Sequence, residues 1–394
     1  MAHALIIGGG VAGPVAAMAL RRAGLDATVY EAVPAGAGPS GSFLTLFANG
    51  LAALRAIGAD GPVRAVSCAA DTVESYSESG RLLGRRPMSG SGEAGLSPRT
   101  VPRAVLCRVL REEALRRGIR VEHGKRLVGL TTRSHGRMVA SFADGTHAEG
   151  TLVIGADGIR SRVRAHLDPA SPPPRHTGQF TVSGRTGPRT TIGGAEPAPP
   201  RTYRMYYGRG GFFGCTTAPD GTTFWFANVP GPELPRAALA ATPDGWRRRL
   251  GEVFAADDTP AAAIVAATGD DVVGVNCYDL PSTPVWHDER TVLIGDAAHA
   301  TAPNAAQGAS LAIEDAVVLA RCLRDLPDTG RAFAGYERLR RERVERVVAL
   351  SASLARRRPV TAEERRARDA EVERRLARSA RPVRDWLTGY RIDW

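Results

Sequence analysis

Unbroken apolar runs alternate along this chain with glycine turns and stretches of helical periodicity. Ala4, Leu5, Ile6 and Ile7 run without a polar residue into Gly8, Gly9 and Gly10, as a strand buried on both faces would. Apolar positions then recur at helical spacing from Val11 to Ala23 and stop at Gly24, and a second strand runs from Ala27 to Glu31. Pro14 falls in the helix's first turn, where its missing N–H costs nothing. This opening predicts a βαβ unit and a parallel sheet. Further along, the pattern predicts a helix over 103–117, a strand at Ile119–Glu122, a short β meander and an apolar strand at Thr151–Ile154.

The pattern changes at about residue 169. Pro, Gly, Thr and aromatic residues become dense, punctuated by Pro172-Pro173-Pro174 and Pro199-Pro200. Thr202–Tyr207, Phe212–Thr217 and Thr222–Asn228 read as an antiparallel meander joined by glycine turns. An apolar strand returns at Val292–Ile294, followed by a loop and a helix from about Gly308 to Leu323. A parallel-type domain is thus interrupted by a mostly β insertion and then resumed.

With 394 residues, two domains are expected, and 43% apolar residues can supply their cores. No apolar stretch approaches the length of a membrane span, and the first residues read as a strand rather than a signal peptide, so a cytoplasmic protein is expected. Five cysteines without a CxxC pair suggest neither a disulfide framework nor a metal site. The net charge of +11 is local: residues 331–385 carry 17 arginines against 9 acids. Pairs such as Glu364–Arg368 and Glu371–Arg375 make that segment a solvated helical face, with Thr361 and Glu364 as a capping box, and no nucleic-acid partner is expected.

Three motifs carry chemistry. Gly8-Gly9-Gly10-Val11-Ala12-Gly13 fits GxGxxG directly between a strand and a helix, where the glycines let a pyrophosphate approach the helix N-terminus. Glu31, at the end of the next strand, can accept from both hydroxyls of an unphosphorylated ribose, which favours FAD or NAD over NADP. Pro14-Val15 stand where a P-loop would need Lys-Ser/Thr. The second motif, Gly155-Ala156-Asp157-Gly158 through Arg164, ends an apolar strand. The third is Gly295-Asp296-Ala297-Ala298-His299, with Pro303, Gln307, Gly308 and Glu314-Asp315-Ala316 behind it.

In this order and at these separations the three motifs resemble the single-component flavoprotein monooxygenases, the para-hydroxybenzoate hydroxylase-like group A family, over most of residues 1–350. Asp157-Gly158 matches the family's DG motif and Gly295-Asp296 its GD motif, while Arg103-Ala104-Val105-Leu106 matches an arginine at the start of a flavin-lining helix. The resemblance implies an α/β fold, with a Rossmann-type FAD-binding domain, an inserted β-rich substrate domain and C-terminal helices. The expected division is 1–70, 99–168 and 276–330 for FAD binding, 71–98 as a substrate-domain hairpin, 169–275 as the β-rich substrate domain and 331–394 as the helical end.

The resemblance further implies that Gly8, Gly10, Val11, Ala12, Gly13 and Glu31 hold the ADP half of FAD. Arg103 would contact the flavin or its chain, Asp157 would support the pyrophosphate region and Asp296 would bond the ribityl hydroxyls. Pro303, Gly308 and Ala309 would line the flavin, with the helix from Gly308 aiming N–H groups at its pyrimidine edge, where charge collects on reduction. The family's GQGxN loop reads here Ala306-Gln307-Gly308-Ala309-Ser310, losing one glycine and the asparagine. His299 invites reading as a general base, but the family uses its position architecturally, so no catalytic acid or base is named and the chemistry is the flavin's.

The implied reaction is NAD(P)H-driven insertion of one oxygen atom from O2 into a small apolar or aromatic organic substrate through a flavin C4a-hydroperoxide, as hydroxylation or epoxidation. NADPH or NADH would bind transiently, since no second GxGxxG is present. In the family one face of the inserted sheet roofs the substrate, which makes Tyr206, Phe213, Phe224 and Phe226 the candidate substrate residues; by alternation Phe224 and Phe226 share a face and Trp225 takes the other. Flavin halogenases share this fold, but their WxWxIP motif reads Phe224-Trp225-Phe226-Ala227-Asn228-Val229-Pro230 here, and the only lysine is Lys125 in a surface-type strand turn. A flavin oxidase or dehydrogenase without oxygen insertion, and a flavin-binding scaffold, are the other readings. The substrate and the oligomeric state are not legible.

Overall fold

In the computed structural model, the described residues are 3–36, 43–88, 95–133, 136–193, 196–356, 361–378 and 386–394. Five parallel strands form the first sheet, in the order Thr291–Leu293, Leu152–Gly155, His3–Ile7, Asp26–Glu31 and Arg120–His123. Their apolar runs are continuous because both faces are covered. Helices Ala12–Arg22 and Gly308–Asp325 lie in the core on one side, and a three-stranded meander (Leu127–Thr132, Met138–Phe142, His147–Gly150) shares the same core through Leu127, Leu130, Met138 and Phe142. The opening strand takes the centre, so the glycine turn that follows it sits between the ends of its two neighbours.

The second sheet has seven strands, in the order Val272–Asp279, Arg175–Arg185, Thr223–Pro230, Phe212–Thr217, Thr202–Tyr207, Thr72–Ser77 and Leu82–Pro87. Its three central strands follow the expected meander. The hairpin Thr72–Ser77/Leu82–Pro87 joins it by a parallel pairing with Thr202–Tyr207; residues 89–94 of the expected 71–98 segment lie outside the described residues. Alternation divides this sheet sharply. Tyr206, Phe213, Cys215 and Trp225 enter a core with Trp246, Leu250, Phe254 and Ile264 of helices Pro243–Phe254 and Ala261–Ala266. The opposite face meets the first domain, where Phe43, Thr45 and Thr100 of a small sheet (Phe43–Leu46, Arg99–Pro102, Cys68–Ala69) reach it.

Helix Thr329–Ala355 packs along Gly308–Asp325, and helix Ala362–Arg378 lies on the hairpin edge of the second sheet through Val372, Leu376 and Leu83. The capping box forms: the Thr361 N–H donates to Glu364 Oε2 at 2.8 Å and the Glu364 N–H to Thr361 Oγ1 at 3.1 Å. The arginines of this helix are not simply a solvated face, however. Arg365 and Arg368 both donate to Glu78 of the hairpin, at 2.9 and 2.7 Å, and Arg368 also pairs with Asp369. No helix among the described residues is long and apolar enough to cross a membrane.

Candidate active site

The three motifs close on one another. Gly8 has φ +113°, and a Cβ there would lie 2.3 Å from the Ala156 carbonyl oxygen, so the first and second motifs are in backbone contact. A Cβ on Gly13 would lie 1.9 Å from the Gly8 carbonyl oxygen, which is why the helix can start so close beneath the strand. Gly295, at φ +59°, packs its backbone between Ala12 and Ala312 and so joins the third motif to the first and to the Gly308 helix. At Gly10 a Cβ would meet nothing within 4 Å, leaving the outer side of the turn open to a ligand. Val11 and Ala12 follow at the helix N-terminus.

Glu31 stands at this turn. Its Oε2 accepts from the Gly9 N–H at 2.6 Å and its Oε1 from the Val33 N–H at 2.8 Å. The carboxylate is thus fixed in place with lone pairs to spare for ribose hydroxyls. Arg103 is exposed at the first position of helix Arg103–Arg116. Burial pushes the Cys107 thiol up, while Arg103, Arg111 and Glu31 all lie near enough to act on it, so Arg103 and Glu31 converge on the same corner.

Asp157 departs from expectation. Its carboxylate accepts from Ser161 Oγ at 2.5 Å, from the Arg162 N–H at 2.7 Å and from the Val163 N–H at 3.3 Å. Those bonds turn it onto its own strand-to-helix turn. Burial pushes its pKa up against them. Asp157 therefore shapes the turn that carries Ala156 against Gly8.

Asp296 is exposed at the start of the short helix Asp296–His299, and its Oδ1 lies 3.9 Å from where a Cβ on Gly308 would be. Gly308 opens an 18-residue helix whose N-terminus carries partial positive charge. Pro303 begins the 3₁₀ turn Pro303–Ala305 just before it, and Ala309 packs partly buried against the core. Ala306 keeps a left-handed backbone (φ 51°) despite its side chain, so the loop retains the shape of its lost glycine at a cost of about 1–2 kcal/mol. Ser310 Oγ accepts from the Phe47 N–H at 3.3 Å, and a Cβ on Gly50 would lie 2.8 Å from that same Oγ, so the helices carrying Gly50 and Ser310 meet closely here.

A buried polar network, which sequence reasoning left unassembled, supports this loop. Asn49 Nδ2 donates to Gln307 Oε1 at 3.0 Å and to Glu314 Oε1 at 2.6 Å. Arg340 pairs with Glu314 and Asp315, and Arg343 with Glu314. His299 contacts Asp315 through Nε2, and Asp315 Oδ2 also accepts from the Gly295 N–H at 2.9 Å. Burial works against the Asp315 carboxylate, but the charges of His299 and Arg340 outweigh it and hold its pKa well below the usual range. His299 is buried inside this network.

The candidate substrate residues separate by face. Tyr206 and Phe213 point into the helix-covered core with Trp246 and Phe254, so neither can roof a substrate. Strand alternation puts them there once helix Pro243–Phe254 covers that side. Phe224 and Phe226 lie on the opposite face, 5.5 and 6.2 Å from the Phe43 ring of the first domain. Phe212 and Tyr207, not singled out from sequence, continue the row: Phe212 is 5.9 Å from Phe226 and 5.1 Å from Tyr207 between ring centroids. Tyr203 ends on the first domain, its hydroxyl bonded to Thr45 and Thr100 at 2.9 and 2.6 Å, and burial pushes its pKa up to about 12. Lys125 is bonded to Asp144 and Thr146 at the meander's turn.

A family model described as FAD binding domain matches residues 1–351. Aurachin C monooxygenase/isomerase of Stigmatella aurantiaca is 33% identical across 88% of this chain and 86% of its own. FAD-dependent urate hydroxylase of Klebsiella pneumoniae is 30% identical across 88% of this chain and 87% of its own. The crystal structure of Klebsiella pneumoniae HpxO complexed with FAD and uric acid superposes with a TM-score of 0.82 at 25% identity, covering 96% of each chain.

Proposed function

This chain belongs to the FAD binding domain family and, within it, to the FAD-dependent monooxygenases, and from that premise we propose that it inserts one oxygen atom from O2 into a small, flat, largely apolar organic molecule. The substrate would lie between the aromatic row Phe43–Phe224–Phe226–Phe212 and the flavin ring, with NADPH or NADH as transient reductant. The observation that carries the cofactor assignment is the mutual closure of the three motifs at Gly8, Ala156 and Gly295, which builds one cradle from three distant segments.

The residues present fit FAD. The open side of Gly10 and the helix N-terminus beneath it would take the pyrophosphate, with Gly8 and Gly13 allowing the approach. Glu31 would accept from the adenosine ribose, Arg103 would reach the flavin chain and Asp296 the ribityl hydroxyls. Pro303, Gly308 and Ala309 would line the pyrimidine edge, where the helix N-terminus favours negative charge. Bound FAD supplies the electron and oxygen chemistry. The protein's share is to hold the ring, exclude water with the aromatic face and stabilise charge at Gly308.

In this reading residues 1–70, 99–168 and 276–330 form the FAD-binding domain, while 71–98 and 169–275 form the substrate domain closed by 331–394. Its setting is the cytoplasm, with a small-molecule partner and no nucleic acid. The test is stopped-flow absorbance of the flavin-loaded protein, reduced without oxygen by NADPH or NADH and then mixed with oxygenated buffer. A transient absorbance distinct from both reduced and oxidised flavin supports oxygen insertion. Failure of both nicotinamides to reduce the flavin, with reduction by an organic substrate instead, would make the protein an oxidase or dehydrogenase.

A further inference from the structure

The sheet face turned toward the first domain is graded from rings to amides. In register, Asn228 stands opposite Thr181 on one side and Phe212 on the other, and it shares a face with Phe224 and Phe226. Thr181 Oγ1 donates to Asn228 Oδ1 at 2.7 Å, which fixes the oxygen toward Thr181 and turns the NH2 away from it. What Asn228 presents to a ligand is its NH2, two N–H donors. Among the described residues its Nδ2 donates to nothing, although the residue is only 6% exposed. The nitrogen is not among the fully buried polar atoms, so it remains open to a ligand.

The neighbours show which end of the face this is. Two residues from Thr181, Gln179 Nε2 donates to Asn304 Oδ1 at 2.6 Å, and Asn304 Nδ2 returns a bond at 3.4 Å. Asn304 belongs to the turn that leads into Gly308. The amide end of the face therefore abuts the loop assigned to the flavin, and the phenyl rings run away from it. Thr181, Asn228, Gln179 and Asn304 carry no charge.

We propose that Asn228 is the specificity-determining donor of this site, and that the preferred substrate is a planar apolar ring system bearing one neutral hydrogen-bond acceptor, such as a ring carbonyl. The rings would rest on Phe212 and Phe226 while the acceptor takes the Asn228 N–H. The inference deepens the monooxygenase reading and rests on it for the placement of substrate against this face. Thr181 is a positioning residue, because it decides which end of the amide faces the ligand.

The experiment is equilibrium binding of two probes of similar shape to the FAD-loaded protein, kept oxidised and without nicotinamide: chromone, which carries a ring carbonyl, and naphthalene, which carries no acceptor. The wild type is expected to bind chromone at least tenfold more tightly. Asn228→Leu should erase that preference by weakening chromone alone. Asn228→Asp, equal in size but with no N–H donor, should weaken chromone at least tenfold with FAD content unchanged, about 1.4 kcal/mol. No preference in the wild type, or equal weakening of both probes in the variants, overturns the proposal. Since nothing turns over, a protein that prefers chromone yet shows no oxygen transient loses the monooxygenase reading alone, and one that shows the transient without the preference loses this inference alone.

Discussion

A side-chain carbon on Gly8 would lie 2.3 Å from the carbonyl oxygen of Ala156, so the first turn of the chain and the turn of its second motif are fitted backbone to backbone. Gly8→Ala must both open that contact and hold a side chain at φ +113°. The expected result is a loss of about 2–4 kcal/mol in denaturant unfolding, together with loss of bound flavin on purification. Retained flavin with an unchanged midpoint would disprove the contact.

Asp296 contrasts with this, being exposed and poised beside Gly308 without a structural bond of its own among the described residues. Asp296→Ala is expected to leave the apoprotein's Tm within about 1 °C while weakening FAD at least tenfold in a fluorescence titration. Unaltered FAD affinity would remove Asp296 from the site.

Asp315 should govern acid stability. Its folded pKa lies below the unfolded value, so its contribution is fully present above the unfolded carboxylate range and is lost as pH falls through the folded value. Asp315→Asn leaves Arg340 and His299 facing a neutral amide and is expected to cost about 3–5 kcal/mol at neutral pH. The gap from wild type should begin to shrink only below about pH 4. A gap that is constant between neutral pH and pH 3 would show that the carboxylate's charge is not what matters.

The two faces of the second sheet make opposite predictions. Phe213→Ala hollows the core beside Trp225 and Phe254 and should cost about 3–5 kcal/mol in thermal or denaturant unfolding. Phe226→Ala, on the half-buried face, should cost less than that while weakening naphthalene binding. Reversed effects would mean the substrate face has been misassigned.

Tyr203 offers a test at high pH. Its folded pKa is pushed up to about 12, so the stability it supplies is complete below the unfolded value near 10 and lost as pH rises toward the folded one. Tyr203→Phe removes the hydroxyl shared by Thr45 and Thr100 and should cost about 1–2 kcal/mol at pH 8, a gap that narrows above pH 10 in urea unfolding.

The motif-bearing part of the fold was legible because its chemistry is local. A glycine turn between an apolar strand and a helix can be read from Ile7 to Val15, and Thr361 with Glu364 announces its own capping box. The division of aromatics was half legible. Alternation puts Phe224 and Phe226 together, but which face meets the flavin depends on helix Pro243–Phe254, which was not anticipated. Its signals were present in Thr242-Pro243 at the cap and first turn and in Trp246, Leu250 and Phe254 at four-residue spacing. Missing it left Tyr206 and Phe213 looking as available as Phe226. Asp157 misled for another reason: a carboxylate beside a turn can serve a ligand or the turn's own N–H groups, and only geometry separates the two. The Asn49–Gln307–Glu314–Arg340 network draws on segments too far apart in sequence for any spacing to reveal it.

The ordering of those segments along the chain also bears on synthesis. Ala156, Gly295 and Gly308 follow Gly8 at long distance in the sequence, and Arg340, which holds Asp315, comes later still. The pyrophosphate turn therefore lacks its partners until those later segments have been translated, and flavin cannot template what precedes them. It acts on the finished fold, adding stability by mass action: about 4 kcal/mol when free FAD stands a thousandfold above its dissociation constant. The amount of this protein that persists in a cell should accordingly track the supply of free flavin.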